Sequence, residues 1–201
     1  MRESEERYRA FVAQSNEGIW RFELEKPLSM TIDEHSQIEH IYQYGYLAEC
    51  NLVMAQMYGF SEIDEIIGVR LGDLLPPSDP RNLDYLRAFI RSGYRLSDAE
   101  SYELDRNGNP KYFANNLVGI IQDHYLIRAW GNQRDVSDRK QSEELLRRSE
   151  EMFSTLVEHA PFGVYFIDSD FRLRTINNGS RAFFSNISPL IGRDFAEILR
   201  K

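Results

Sequence analysis

SYELDRNGNPKYFANNLVGIIQDHYLIRAWGNQRDVSDRK, Ser101 to Lys140, carries the pattern that decides the fold. Asn107-Gly108 lies between runs rich in Tyr, Phe, Val and Ile, and this dipeptide tolerates the positive φ angles of a tight primed turn. The stretch therefore predicts a hairpin, with Tyr112 to Ile121 as its second strand and Tyr125 to Asp135 as a third strand. Odd and even positions of Tyr112 to Ile121 are both largely apolar, so both faces of the sheet are expected to be covered. After the third strand the pattern changes abruptly to RDVSDRKQSEELLRRSEEMF, Arg134 to Phe153, a charged helix.

Upstream, Gly18 to Leu24 alternates as a strand, and a second strand is expected at Tyr44 to Cys50. The long connection between them has helical spacing from Asp33 to Tyr42 through Ile38, Ile41 and Tyr42. Short helices are expected at Asn51 to Tyr58, Ser61 to Ile66 and Leu71 to Leu75, punctuated by Gly59, Gly68 and PPSDP. A longer helix, Arg81 to Ser92, carries Leu83, Leu86, Phe89 and Ile90. Residues 4 to 14 read as an amphipathic helix with Tyr8, Phe11 and Val12 on one side, a cover for the second sheet face from its own chain or from a partner. Two strands, several helices and then three strands predict an α+β domain, an antiparallel sheet with helices on one face.

The chain has 201 residues, 42% of them apolar, enough for one good core and at most two small ones. Its net charge of −8 and lack of a Lys/Arg block argue against nucleic acid as a partner. MRESEERYR is charged where a signal peptide is apolar, and no window approaches the roughly 18 apolar residues of a membrane span. Cys50 is the single cysteine and the four histidines are scattered, which excludes an internal disulfide and a zinc-type cluster. A cytoplasmic setting is expected, where the sequons at Asn178 and Asn186 carry no meaning.

The sequence also repeats. SEERYRAFVAQSNEGIWRF, Ser4 to Phe22, reads like SEEMFSTLVEHAPFGVYFI, Ser149 to Ile167, at one constant offset. Further on, the pattern around Asn51 and Gly68 returns, after a short deletion, around Asn178 and Gly192. Nothing in the chain matches the first copy's later strands, so the second copy is expected to be partial, its apolar face poorly ordered or shielded by a partner. The expected division is a covering helix at 1–14, a domain at 15–136, a linker helix at 137–153 and a partial domain at 154–201.

Asp135 and Ser137 suit a helix start, because their side-chain oxygens accept the first unpaired backbone N–H groups, and Asp138 suits the positive helix end. Leu146, Phe153 and Leu156, with Ser142 and Ser149, form a weak heptad seam, which allows the helix to pair with its twin. A plain linker with a solvated face is the alternative.

Three segments resemble the PAS (Per-ARNT-Sim) family of bacterial sensor proteins. They are GIWRFEL at the domain start, AECNLVMAQMYGFSEIDEIIGVRLGDLL with its Asn, Tyr-Gly-aromatic-Ser and Ile-Gly sequence, and the strands from Tyr102 ending in Asp135-Val136-Ser137, similar to the family's Asp-Ile-Thr exit. The resemblance covers residues 4 to 140, and 149 to 201 as a truncated second domain. It implies a five-stranded antiparallel sheet with flanking helices that senses a ligand or acts as a dimerising relay. Light-sensing flavin members of the LOV type carry a reactive Cys where this chain reads GVRLGDLL, and haem-binding members use a His on the long helix, where Arg81 to Ser92 has none. The cofactor is therefore unknown, and Cys50 reads as a small buried apolar residue.

Trp20, Phe22, Met54, Met57, Tyr58, Asn116 and Trp130 are the residues expected near the space between sheet and helices. Met54 and Met57, one turn apart, suit core filling as well as a ligand box. Of Asn115 and Asn116, one amide must face the helices, because adjacent strand residues point to opposite faces. No catalytic motif is found: HSQIEH is one residue too long for a His-x-x-Glu-His metal site, and there is no nucleotide-binding loop and no phosphoacceptor helix. The sequence thus reads as a sensory module, a homodimer through its N-terminal and linker helices, with Asp135, Val136 and Ser137 coupling ligand to output. A ligand-free dimerisation module, or a fragment of an enzyme such as a sensor histidine kinase or diguanylate cyclase, is the alternative.

Overall fold

The structure, a computed structural model, describes Arg7, Ala10 and residues 12–200. Of the expected covering helix, Arg7, Ala10 and residues 12–14 are helical, while Tyr8 and Phe11 lie outside the described residues. The chain divides after Lys140 into two units.

The strands of the first unit are β1 (Gly18–Ser29), β2 (Gly45–Cys50), β3 (Arg95–Leu104), β4 (Pro110–Gln122) and β5 (Tyr125–Asp135). They form one five-stranded sheet in the order β2-β1-β5-β4-β3, every neighbouring pair antiparallel. Helices α1 (Glu34–Tyr44), α2 (Leu52–Met57), α3 (Leu71–Leu74) and α4 (Pro80–Arg91) separate the first two strands or follow the second. The core lies between one sheet face and these helices, with Leu28, Leu47, Met54, Tyr58, Ile66 and Phe113 fully buried.

Each longer helix begins on a residue suited to the task. Asp33 accepts the backbone N–H of Ser36 at 3.1 Å to open α1. Asp79 accepts that of Arg81 at 2.9 Å to open α4, whose first residue, Pro80, has no N–H to leave unpaired. Both helices are then tied down by buried amides. Tyr94 donates to Gln37 of α1 at 2.6 Å, and Asn82 of α4 accepts from the Tyr102 backbone on β3 at 3.3 Å.

The two hairpin turns reverse the expectation. At Asn107-Gly108 the connection is five residues, Asp105 to Asn109, and only Gly108 has a positive φ, 78°. The Asp105 carboxylate accepts from the backbones of Asn107 and Asn109, both at 2.8 Å, so the side chain shapes a turn that needs one left-handed residue rather than two. The two-residue turn with both φ values positive is instead Asp123-His124, at 49° and 66°, between β4 and β5.

Asn51, 4% exposed, uses its whole side chain. Its Oδ1 accepts from the backbones of Ile19 and Met54, each at 3.0 Å, and its Nδ2 donates to the carbonyls of Glu17 at 2.9 Å and Val12 at 3.2 Å. One amide thereby caps α2, fixes the start of β1 and holds the segment before it.

The second unit begins within helix α5 (Ser137–Glu158) and continues through β6 (Tyr165–Ile167), β7 (Leu173–Ile176), α6 (Asn178–Arg181) and α7 (Phe195–Ile198). Strands β6 and β7 pair antiparallel, and Leu173, Phe195 and Ile198 form a small core. Asn177 repeats the arrangement around Asn51. Its Oδ1 accepts from Val164 at 2.8 Å and Ser180 at 3.0 Å, and its Nδ2 donates to Val157 at 2.8 Å and Phe162 at 2.9 Å. The residue equivalent to Asn51 is thus Asn177, not Asn178 as the sequence alignment pairs them, because Asn178 already lies inside the helix that Asn177 caps. Gly68 and Gly192 both have φ of 86° and donate to the carbonyls of Leu47 and Leu173.

Asn51→Ala strands four backbone groups and should destabilise the first unit by about 3 kcal/mol in urea denaturation; a change within experimental error would mean that solvent replaces these bonds. Replacing Asp123-His124 by Asn-Gly should raise stability by about 1 kcal/mol, since Asn and Gly tolerate both left-handed positions better; a drop in melting temperature would refute this reading of the turn.

Candidate functional site

Between the sheet and the helices lies a cavity of about 80 Å³. Trp20 and Phe22 of β1 line it, with Tyr85 and Phe89 of α4, Glu103 of β3 and Asn115 of β4. Trp20 and Phe22 share this face because they are two residues apart on one strand, and their rings meet edge to face with centroids 5.4 Å apart. The indole lies against the backbone of β5 at Gly131, where a Cβ would come within 2.4 Å of its ring.

Other expected site residues lie elsewhere. Met54 and Met57 pack in or against the core on α2, and Tyr58 follows them, fully buried; none of the three lines the cavity. Asn116 and Trp130 are on the opposite sheet face, which corrects the sequence-based placement. Asn115, paired with Gln133, is the amide that faces the helices, while Asn116 is exposed and accepts from the Asp98 backbone at 2.9 Å. Trp130 pairs with Arg21 across β1 and β5, and the guanidinium sits 5.4 Å from its ring centroid.

The centre of the buried polar groups is Glu103, which sequence reasoning passed over: a single Glu in a hairpin strand reads as a solvated side chain. Here it is 7% exposed. Tyr58 donates to one carboxyl oxygen and Ser101 to the other, the latter at 2.6 Å. Gln133 donates to the Tyr58 hydroxyl at 3.3 Å, and Asn115 to the Ser101 hydroxyl at 2.8 Å. Burial pushes the Glu103 carboxyl up to about 7, against the hydrogen bonds from Ser101 and Tyr58 that favour ionisation. Burial and the nearby Glu103 charge in turn raise Tyr58 well above the ordinary phenol value and Tyr42 to about 12. Cys50 is buried at the end of β2 with its thiol pushed to about 11, which leaves it unreactive as a nucleophile.

The exit from the sheet is fastened by three successive residues. Asp135 accepts the Ser137 backbone N–H at 2.8 Å and meets the Lys111 ammonium at 3.0 Å; Val136 N–H donates to the Tyr112 carbonyl at 2.9 Å; and the Ser137 hydroxyl accepts the Tyr112 N–H at 2.9 Å. The first turn of α5 is also held to β3, with Lys140 at 2.6 Å and Arg139 at 3.1 Å from Glu100.

A carboxyl that is protonated when folded and ionised when unfolded makes stability fall as pH rises. For Glu103 the window runs from the ordinary value of about 4.5 to about 7, with no further change above it. The melting temperature should therefore decline between these pH values, by up to about 3 kcal/mol of stability, and Glu103→Gln should flatten the decline. An unchanged slope in the variant would remove Glu103 as its source.

No family model matches the chain, and no curated protein does. Among solved structures, an RNA-binding light-oxygen-voltage receptor matches with a TM-score of 0.51 and 15% identity, over 77% of this chain and 39% of that one. A sensory box histidine kinase/response regulator from Burkholderia thailandensis E264 matches with a TM-score of 0.50 and 19% identity, over 75% of this chain and 99% of that one. A PAS domain from Colwellia psychrerythraea matches with a TM-score of 0.49 and 17% identity, over 68% and 98%. With its sheet order, its helices on one face and its fastened Asp-Val-Ser exit, the first unit has the PAS fold.

Proposed function

We propose that this chain is a sensory signalling module, in which a small molecule in the cavity beside Trp20, Phe22 and Glu103 shifts the sheet and thereby the start of α5. The observation that carries this reading is that cavity and exit share two strands. On β3, Glu103 borders the cavity and Glu100 holds Arg139 and Lys140. On β4, Asn115 borders the cavity and the Tyr112 backbone holds Val136 and Ser137. A displacement of either strand moves the helix that leaves the sheet.

In this reading α5 pairs with its counterpart in a second copy, because Leu146, Phe153 and Leu156 expose 62%, 68% and 64% of their surface along its seam. Residues 154–201 are read as the first part of a second PAS domain, supported by the recurrence of the Asn51 bonds around Asn177. The module is cytoplasmic and passes its signal to an output domain outside this chain. A second reading, a ligand-free dimerisation module, is favoured by the small cavity and the satisfied Glu103 carboxyl.

Native mass spectrometry of the chain purified from cells separates these readings. A dimer that retains a small molecule is the expected result, a ligand-free dimer would favour the second reading, and a bare monomer would sink helix pairing. Asp135→Ala should speed amide exchange at Ser137 to Arg139 while lowering stability by only about 1 kcal/mol; global unfolding would instead make Asp135 a structural residue.

A further inference from the structure

The cavity presents an acid that no cation touches. Among the described residues, Glu103 meets only hydroxyl groups, those of Tyr58 and Ser101. The other titratable groups facing it, Tyr42 from α1 and Tyr85 from α4, are phenols raised by burial and by Glu103, and so neutral near pH 7. Lys111, its register partner on β4, has its ammonium 3.0 Å from Asp135. Arg128 also borders the cavity; its guanidinium lies 3.3 Å from Glu23, and its Nε is buried with no hydrogen-bond partner. A buried carboxylate is held at considerable cost until a positive charge meets it.

The residues lining the cavity include two buried donors without an acceptor, Trp20 Nε1 and Arg128 Nε. Trp20 is 5% exposed, and its indole Nε1–H is buried with no hydrogen-bond partner. The walls formed by Trp20, Phe22, Tyr85 and Phe89 are aromatic, and their ring faces attract cations. The volume of about 80 Å³ is roughly half that of an apolar cavity that takes benzene, which limits an occupant to about three to five non-hydrogen atoms.

We propose that the occupant is a small primary ammonium ion that also carries a hydrogen-bond acceptor, of the size of a two-carbon amino alcohol. Its ammonium meets the Glu103 carboxylate, and its oxygen accepts from Trp20 Nε1–H. Binding favours the ionised carboxyl, and because Glu103 titrates at about 7 when the cavity is empty, binding at neutral pH releases protons. This inference rests on the cavity being a ligand site, and it adds the ligand's chemical class.

Isothermal titration calorimetry of the full chain tests it with three probes: ethanolamine, ethylene glycol, which replaces the ammonium by a hydroxyl, and propylamine, which replaces the hydroxyl by a methyl. Ethanolamine should bind at least about tenfold more tightly than either of the others. Its heat should differ between buffers of different ionisation enthalpy by the amount that proton release requires, a measurement that needs no variant. Glu103→Gln, with folding verified by circular dichroism, should erase the preference over ethylene glycol, and Trp20→Phe the preference over propylamine. Equal or tighter binding of ethylene glycol would overturn the amine class. Absence of binding by all three, with another small molecule retained in native mass spectrometry, would overturn the amine class and leave the sensor reading standing. Absence of both would overturn the two together.

Discussion

The side chain of Asn51 is the constraint on which the first unit depends. A primary amide has two N–H donors and an oxygen that accepts twice, and all four capacities are used on backbone groups from three separate segments. A backbone bond from Asn51 N–H to the Ile19 carbonyl joins the same two elements, and the amide adds the bonds that set how the entry to β1 meets α2. That relation sets the position of Trp20, two residues into the strand. The cavity wall is therefore placed by a hydrogen-bonded joint in the chain rather than by apolar packing alone. Asn177 meets the same geometric demand where a segment, a strand and a helix converge again.

The sheet serves two environments at once. Its inner face holds Glu103, Asn115 and Gln133 in a buried network with Tyr58 and Ser101, while the strand ends hold Asp135, Val136 and Ser137 in a partly exposed one. Buried networks of this kind are rigid when every member is satisfied and sensitive when one changes protonation or partner. A neutral Glu103 suits the apolar surroundings and an ionised one does not, which places a chemically responsive group inside the most ordered part of the domain.

Most of the fold was legible from periodicity. Strand alternation, the helical spacing of Ile38 and Ile41 and the amphipathic run in α4 are local properties, and the structure places elements at all of them. Side-chain direction was harder to read. Asn115 and Asn116 differ only in parity, and parity along β4 cannot be fixed without knowing its neighbours and the irregularity between Ile120 and Ile121. Trp130 was misassigned for the same reason, since both faces of β5 carry large groups. The Asn107-Gly108 signal was a true turn of the wrong type, because Asp105 two residues earlier provides bonds that a dipeptide rule does not consider. Glu103 left no local trace at all; the Tyr58 hydroxyl that meets it comes from 45 residues earlier in the chain, a long-range contact.

The parity that separates Trp20 from Trp130 has a practical consequence. These are the two tryptophans of the chain, and they stand on opposite faces of the same sheet, one against Gly131 in the interior and one under the Arg21 guanidinium. An indole in a dry apolar site emits at shorter wavelength than one in contact with water and a cation, so the intrinsic fluorescence of the protein is a sum of an inward and an outward signal. The molecule carries, without any label, one optical reporter on each side of the layer that joins its cavity to its exit helix.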